Sequence, residues 1–228
     1  MSAPAESAAT LGDGPAGIPQ PVLVRGTGLL GASIGIGLSA AGVDVRLHDP
    51  SPAALAVAAD IRAGRPARLD AEGDDLDVAP GLVVVAAPPD VTADVVVDSL
   101  RRWPAAVVVD IASVKEAVAA GVRAAVDDGR LAPQDADRYL GTHPMAGSER
   151  SGPVAARGTL FTQAPWVLCP TDTTHPGALA AGRALARTLQ ATPYRMAARA
   201  HDESVALISH LPQIAASLVA SRLQDTPD

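Results

Sequence analysis

The stretch "PVLVRGTGLLGASIGIGLSAAG" at residues 21–42 determines the fold expected for this chain of 228 residues. Its first six letters are an apolar run typical of a buried strand, and the small residues that follow suit a helix packed against a sheet. Gly26, Gly28 and Gly31 form the pattern G-x-G-x-x-G between the two. Glycine there permits a tight turn and lets backbone amides approach a pyrophosphate, so the stretch predicts a dinucleotide site.

Strand and helix signals alternate along the rest of the chain. Residues 44–49, 82–87, 105–110 and 165–170 have the composition of strands, and the Ala-rich residues 52–62 that of a helix. Continuous apolar runs, rather than strict alternation, indicate strands covered on both faces. We therefore expect a Rossmann-type α/β fold with a doubly wound, mainly parallel sheet.

Asp49 lies at the end of the second expected strand, 18 residues beyond Gly31. A carboxylate there accepts hydrogen bonds from ribose hydroxyls and repels a 2′-phosphate, which favours NAD over NADP. Arg46 argues against this choice only if it faces the same site, and a mid-strand residue is expected to point elsewhere. The prolines of residues 86–91 either line the nicotinamide or simply end a strand. The expected cofactor-binding residues are Gly26, Thr27, Gly28, Leu29, Leu30, Gly31, Asp49 and Pro88.

Composition argues against several other classes of protein. Aromatic residues make up only 2 % of the chain and its formal net charge is -7, so a nucleic-acid partner is not expected. The apolar run at residues 29–43 contains four glycines and is too short to span a bilayer. Cys169 is the single cysteine, which fits a reducing cytoplasm. The histidines are dispersed, so no metal site is expected.

Two polar segments offer candidate catalytic residues, and the first of them follows an expected strand. In "DIASVKEAV" at residues 110–118, Ser113 and Glu116 fit a capping box, and the same serine hydroxyl can face a bound polar group. His143 lies in "GTHPMAGSERSG" at residues 141–152, a Gly-rich and hydroxyl-rich stretch that we expect to be a loop. A core histidine would normally have apolar neighbours instead.

Four segments together resemble one known family. "GTGLLGAS", "DIASVK", "THPMAGSERSG" and "SHLPQ" occur in this order, and the chain from about residue 21 to residue 223 resembles the prephenate dehydrogenases of tyrosine biosynthesis, particularly actinobacterial members. The resemblance implies oxidative decarboxylation of prephenate or arogenate by hydride transfer to NAD+. Aromatisation of the ring drives this reaction, so the enzyme mainly orients the substrate and takes a proton from its hydroxyl group.

The resemblance also assigns site residues. His143 matches the catalytic histidine, whose imidazole has a reference pKa of about 6.5 and suits a general base. Ser113 matches the serine that binds the reacting hydroxyl. Ser148 and Glu149 match positions near the substrate pocket, Glu149 as part of a gating ion network, and His210 matches a residue that contacts the substrate's side chain. His210 and Glu149 also fit plainer roles, as a packed helix residue and a surface acid.

Helical spacing leaves His201 outside the expected catalytic set, unless the helix bends or starts late. It lies nine residues before His210, which at about 100° per residue places the two imidazoles on opposite faces of an ideal helix. The segment "AHDES" then fits a simple helix start, with Asp202 near the positive end of the helix dipole.

The expected organisation has three parts. Residues 1–20 are a disordered tail, residues 21–197 an NAD-binding Rossmann domain, and residues 198–228 the first helix of an all-helical dimerisation domain that is incomplete in this sequence. The resemblance implies a homodimer formed through that domain, which also supplies an arginine for a substrate carboxylate. No arginine of this chain is an obvious replacement.

Three functions remain open on the sequence. The first is an active prephenate or arogenate dehydrogenase of the cytoplasm. The second is an NAD-binding module without turnover, favoured by the missing carboxylate-binding arginine. The third is another Rossmann dehydrogenase that acts on a small hydroxy acid, although such enzymes place a lysine or aspartate where this chain has "SHLPQ".

Overall fold

The structure is a computed structural model that describes residues 17–70, 73–147 and 150–207. Short strands alternate with helices over most of this length. The strands are β1 (Val22–Arg25), β2 (Val45–His48), β3 (Arg65–Pro66), β4 (Leu69–Asp70), β5 (Gly73–Asp74), β6 (Leu82–Val85), β7 (Val107–Asp110), β8 (Tyr139–Pro144), β9 (Pro165–Cys169) and β10 (Thr192–Arg195). The helices are α1 (Leu29–Ala40), α2 (Pro52–Asp60), α3 (Pro89–Arg102), α4 (Glu116–Asp127), α5 (Pro133–Ala136), α6 (Pro176–Thr188) and α7 (Ala198–Val205).

The main sheet has the order β10-β9-β8-β7-β6-β1-β2-β3. Its neighbouring strands run parallel except for β8 and β9, which are antiparallel. From β1 the chain passes to β2 on one side and returns to β6 on the other, so the strand order reverses at β1. The doubly wound, mainly parallel Rossmann sheet expected from the sequence is confirmed. In such sheets a crevice opens at the carboxyl ends of the strands beside the reversal.

The strand β8 corrects the expectation of a loop around His143. His143 lies near the carboxyl end of this strand, opposite Val167 of β9, and β7 pairs along its other side. The letters "YLGTHP" carry little strand propensity, because glycine and proline are poor strand formers. Pairing with strands on both sides determines the conformation instead, and it holds the histidine on a rigid element.

The core consists of two layers, one on each face of the sheet. One layer packs α1 and α6 against the strands and contains Phe161 and Trp166, whose rings lie 5.3 Å apart in an edge-on contact. The other layer lies under α3 and α4 and is built mostly from valine, leucine and alanine. Both layers are rich in aliphatic residues, as the low aromatic content requires.

The turn between β1 and α1 is packed too tightly for side chains. Gly26 has φ +107°, and a Cβ atom there would lie 2.4 Å from the carbonyl oxygen of Ala86. A Cβ atom on Gly31 would lie 1.9 Å from the carbonyl oxygen of Gly26. These two glycines therefore let the start of α1 approach the ends of β1 and β6.

A buried ion pair joins the ends of β7 and β8. Lys115, the single lysine of the chain, is 1 % exposed and its ammonium group contacts the carboxylate of the fully buried Asp110. The same ammonium donates a hydrogen bond to the carbonyl oxygen of Thr142 at 2.7 Å, and the Tyr139 hydroxyl donates to Asp110 at 2.7 Å. Burial and the neighbouring Asp110 raise the pKa of Tyr139 well above its usual value, so this hydroxyl stays protonated.

Within the described ranges, no helix combines the length and the apolar character that crossing a membrane requires. Residues 1–16 of the expected tail and residues 208–228 of the expected C-terminal helix lie outside these ranges. The last strand of the main sheet ends at Arg195 and α7 begins at Ala198. A domain boundary at residue 197 stays a prediction.

We expect the substitution Lys115→Met to lower the free energy of unfolding by about 3–5 kcal/mol, because it leaves the carboxylate of Asp110 buried without its cation. Adding Asp110→Leu should recover much of this loss, since the buried charge is then gone. Urea denaturation of both variants measures the effect. A single variant as stable as the parent chain would contradict it.

Candidate active site

A cleft of about 860 Å³ opens at the carboxyl ends of the strands beside the reversal in strand order. The glycine turn lines one part of it, and Ser113 and His143 line another. The strands β1, β6, β7 and β8 lead to this edge in order across the sheet. The fold therefore brings the expected dinucleotide motif and the expected catalytic residues into one continuous cavity.

The start of α1 offers backbone donors to this cleft. Gly28 is the residue before the helix and has no side chain to cap the amides of its first turn. A Cβ atom on Gly28 would have no other atom within 4 Å, so its open side faces the cleft that it lines. Free amides together with the helix dipole favour an anion at this position.

The carboxylate of Asp49 is held by the glycine turn. Its Oδ2 atom accepts hydrogen bonds from the backbone N–H of Thr27 at 2.6 Å and from the Thr27 hydroxyl at 2.9 Å. Its Oδ1 atom accepts one from the backbone N–H of Ser51 at 2.8 Å. Because a carboxylate oxygen has two acceptor sites, Oδ1 retains one for a ligand hydroxyl.

Seven of the eight expected cofactor-binding residues line the cleft: Gly26, Gly28, Leu29, Leu30, Gly31, Asp49 and Pro88. Thr27 is fully buried and orients Asp49 instead. Arg46 forms ion pairs with Asp44 at 3.2 Å and Asp77 at 3.9 Å, and it does not line the cleft. The side chain of Arg46 is therefore directed away from the ribose position, as its mid-strand location suggests.

The capping role considered for Ser113 is not what the structure has. Helix α4 begins at Glu116, and the carboxylate of Asp202 on α7 accepts from the backbone N–H groups of Lys115 at 2.8 Å and Glu116 at 2.9 Å. A distant aspartate thus supplies the cap that the local S-x-x-E pattern predicts from Ser113. Ser113 is exposed to the cleft, where its hydroxyl can meet a ligand.

His143 has a second histidine as its partner. Its Nδ1 atom lies 2.9 Å from Nε2 of His201, and the two rings meet edge-on at 81°. His201 is fully buried, and its Nδ1 atom lies 2.7 Å from Oδ1 of Asp202. A chain of three side chains therefore runs from the cleft to the start of α4.

Burial lowers the pKa of His143 to about 4, and the nearby His201 and Lys115 act in the same direction, while Asp202 partly opposes them. The imidazole is accordingly neutral at physiological pH and can accept a proton. Burial acts to raise the pKa of Asp202, but hydrogen bonds from the Glu116 amide, the His201 ring and the Lys115 amide lower it overall. Asp202 is therefore an anion beside the histidine pair.

Two residues of the site were not expected from the sequence. Helical spacing argues against His201, yet α7 presents this residue to His143. That spacing compares His201 with His210, and His210 lies outside the described residues, as do Ser148 and Glu149. Arg150 lines the cleft beside Ser151 and Gly152. Arg150 directly follows Glu149 in "THPMAGSERSG", a segment that the sequence already marks. No short-range pattern predicts the contact of His201, because 58 positions separate it from His143.

Within the described part of the chain, no three metal-binding side chains gather into a cluster that could hold a metal ion. Cys169 is buried. The pKa of its thiol is raised to about 12, and burial is the largest of the causes. It therefore stays a neutral thiol.

Sequence comparisons with known proteins indicate one family. Residues 36–194 match the family model described as prephenate dehydrogenase, nucleotide-binding domain. A curated relative, NovF of Streptomyces niveus, named a probable prephenate dehydrogenase, is 38 % identical over 203 residues, which are 89 % of this chain and 52 % of that protein. This chain thus spans about half the length of that relative.

Solved structures of the same type share the fold. An arogenate dehydrogenase from Synechocystis is 26 % identical with a TM-score of 0.71, over 91 % of this chain and 70 % of that one. The Aquifex aeolicus prephenate dehydrogenase, solved with hydroxyphenyl propionate and NAD+, has a TM-score of 0.77 at 23 % identity, over 90 % of this chain and 70 % of that one. At that identity the second likeness concerns the fold alone.

Two glycine substitutions should separate ligand binding from folding. Gly28→Ala has room for its methyl group in the cleft, so we expect a stability change within about 1 kcal/mol and at least tenfold weaker NAD+ binding. Gly31→Ala meets backbone atoms, so we expect a loss of about 3 kcal/mol or more. Chemical denaturation and calorimetric NAD+ titration measure the two effects. Normal NAD+ affinity in Gly28→Ala would contradict the assignment of the cleft.

The low pKa of His143 has a consequence for stability. The unfolded chain takes up this proton near the usual value of 6.5 and the folded chain only near 4, so the free energy of unfolding should fall as the pH drops through this interval. The contribution of His143 to that fall should be missing in His143→Asn and present in His175→Asn, which alters an exposed histidine. Urea denaturation across the interval measures it. A ring that titrates near 6.5 by NMR would refute the assignment.

Proposed function

Because this chain belongs to the prephenate dehydrogenase family, we propose that it binds NAD+ and carries out the oxidative decarboxylation of prephenate or arogenate. The observation that carries the proposal is the single cleft that joins the glycine turn and Asp49 to Ser113 and His143. The glycine turn with Asp49 is not specific by itself, since many proteins bind dinucleotides in such a crevice. A partly buried, neutral histidine and a serine hydroxyl that line the same crevice add the means to remove a proton from an alcohol.

The residues of the cleft fit a dinucleotide. The amides at the start of α1 suit a negatively charged group such as the pyrophosphate. The open side of Gly28 lets the pyrophosphate approach the backbone. The remaining acceptor site of Asp49 suits a ribose hydroxyl, and its negative charge opposes a 2′-phosphate, which favours NAD over NADP. Pro88 ends the loop after β6 and contributes an apolar wall.

Bound NAD+ would accept the hydride from the carbon that bears the substrate's hydroxyl group. The residues of this chain handle the proton. Ser113 binds the hydroxyl and His143 takes its proton, so that the oxygen can form a carbonyl bond as the hydride departs. Loss of CO2 returns an electron pair to the ring, and His143 can give the proton back to the phenolate oxygen. Charge and protons then balance without a metal ion.

We propose substrate roles for four further residues. Arg150 lines the cleft on the side of Ser151 and Gly152, where its guanidinium can meet a substrate carboxylate. Glu149 and Ser148 precede it in the chain and, like His210, keep their proposed substrate roles from the family resemblance. The segments "THPMAGSERSG" and "SHLPQ", which carry that resemblance, support these roles.

The family also supports a biological setting. We propose a role in tyrosine biosynthesis in the cytoplasm, with the protein acting as a homodimer formed through the C-terminal helical region that is expected from residue 198 onward. The support for this setting is the resemblance to the family. Sedimentation of the purified chain tests the oligomeric state.

The test is reduction of NAD+ by the purified chain, followed by absorbance, with prephenate or arogenate as substrate. We expect reduction with one of them and a rate lower by about 10²–10⁴-fold in His143→Asn, since that range is typical for loss of a general base. His175→Asn is the matched control, because His175 is an exposed histidine that precedes α6 and does not line the cleft. It should retain the parent rate.

Two results would count against this function. If NAD+ binds but neither substrate reduces it, the chain is a nucleotide-binding module without turnover. If His143→Asn keeps the parent rate, the catalytic assignment of that histidine is wrong even though the enzyme is active.

A further inference from the structure

We infer that His201 and Asp202 are positioning residues for His143: Asp202 fixes the tautomer of His201, and His201 in turn keeps Nε2 of His143 free to accept a proton in the cleft. The inference deepens the proposed function and depends on it only for its kinetic readout. Its structural content, the placement of two ring protons, can be tested without turnover.

The direction of the hydrogen bonds follows from Asp202. A carboxylate only accepts, so the ring nitrogen of His201 that faces it, Nδ1 at 2.7 Å, carries the hydrogen. In the neutral ring the other nitrogen, Nε2, is then an acceptor. It lies 2.9 Å from Nδ1 of His143, which must donate to it. The remaining nitrogen of His143, Nε2, is therefore left without a hydrogen and can act as the base.

Other groups around the pair do not perform this task. The Asp110 carboxylate is engaged by the ammonium group of Lys115, by the Tyr139 hydroxyl and by the backbone N–H of Ala112 at 2.9 Å. Cys169 on β9 carries a neutral thiol. Asp202 is thus the carboxylate that contacts the histidine pair, and it also compensates the positive charge that forms when His143 takes a proton.

The same carboxylate positions the other side of the site. Its two oxygens accept from the amides of Lys115 and Glu116, and this contact fixes the start of α4 close after Ser113. One side chain of α7 therefore aligns the proposed base and the segment that carries the proposed serine. The alignment requires α7 to be docked against α4.

Three variants separate the tautomer from the cap. His201→Gln keeps an amide N–H for Asp202 and a carbonyl oxygen for His143 but cannot take up a proton. His201→Leu removes both groups and leaves the Asp202 cap in place. Asp202→Asn cannot accept from all its present donors, because one of its two polar atoms is itself a donor. Asp128→Asn removes an exposed charge at the other end of α4 and is the matched control.

The primary measurement is NMR of the unmodified chain with ¹⁵N-labelled histidine at mildly alkaline pH, which reports the ring nitrogen that carries hydrogen. We expect both His143 and His201 to carry it on Nδ1. His143 should keep this tautomer in His201→Gln and Asp128→Asn and lose it in His201→Leu and Asp202→Asn. A hydrogen on Nε2 of His143 in the parent chain would overturn the inference.

The kinetic measurement uses the parent chain and the same variants. We expect kcat to fall by about 10²–10⁴-fold in His201→Leu and Asp202→Asn, as when a catalytic base loses its orienting group, and the KM for NAD+ to change little. His201→Gln should stay within about tenfold of the parent kcat, less than the full contribution of a general base. If the kcat of folded His201→Gln falls as far as that of His201→Leu, the direction of the hydrogen bonds does not determine the activity and the inference fails.

The two proposals can fail separately. If the parent chain shows the expected tautomers but reduces no NAD+, the inference stands and the proposed function falls. If it turns over with hydrogen on Nε2 of His143, the function stands and the inference falls.

Discussion

The close approach of α1 to the ends of β1 and β6 is the constraint on which the cleft depends. Gly26 and Gly31 meet backbone atoms at distances that leave no space for a methyl group, so the helix starts directly against the sheet. Its first amides consequently face the crevice where the strand order reverses. Asp49 is bound into the same turn through Thr27, which makes the second strand part of one rigid wall.

The other wall is organised by charges that are paired inside the protein. Lys115 and Asp110 neutralise each other at the ends of β7 and β8, and the lysine also binds the carbonyl group immediately before His143. A lysine suits this position because its compact ammonium can direct donors to separate acceptors, whereas the planar guanidinium of an arginine is larger. Asp202 adds a second anchor from α7. Burial keeps His143 neutral, and the charged groups near it, Lys115 and Asp202, each have a partner.

The sequence predicted the nucleotide half of the site better than the catalytic half, for a physical reason. Turn chemistry, helix starts and the strand-end carboxylate are local signals, and the glycine motif with Asp49 contains all of them. The contacts of Lys115 and His201 join positions far apart in the chain, since Asp202 lies 87 positions after Lys115. Ser113 illustrates how a distant contact can override a local signal. Its sequence pattern predicts that it caps α4, but Asp202 caps this helix instead. His143 was a candidate because of its polar surroundings, and the family resemblance supplied its catalytic role. Its strand conformation depends on pairing with β7 and β9, which the local sequence does not show.

The chain has seventeen arginines among its 18 basic residues, and its single lysine is buried. Reagents that acylate lysine side chains therefore find no such amine on the folded surface. Lys115 reacts only when the region between β7, β8 and α4 opens, so its rate of acylation reports the local opening equilibrium. Acylation of Lys115 can therefore measure local opening at the base of the proposed active site without an engineered label.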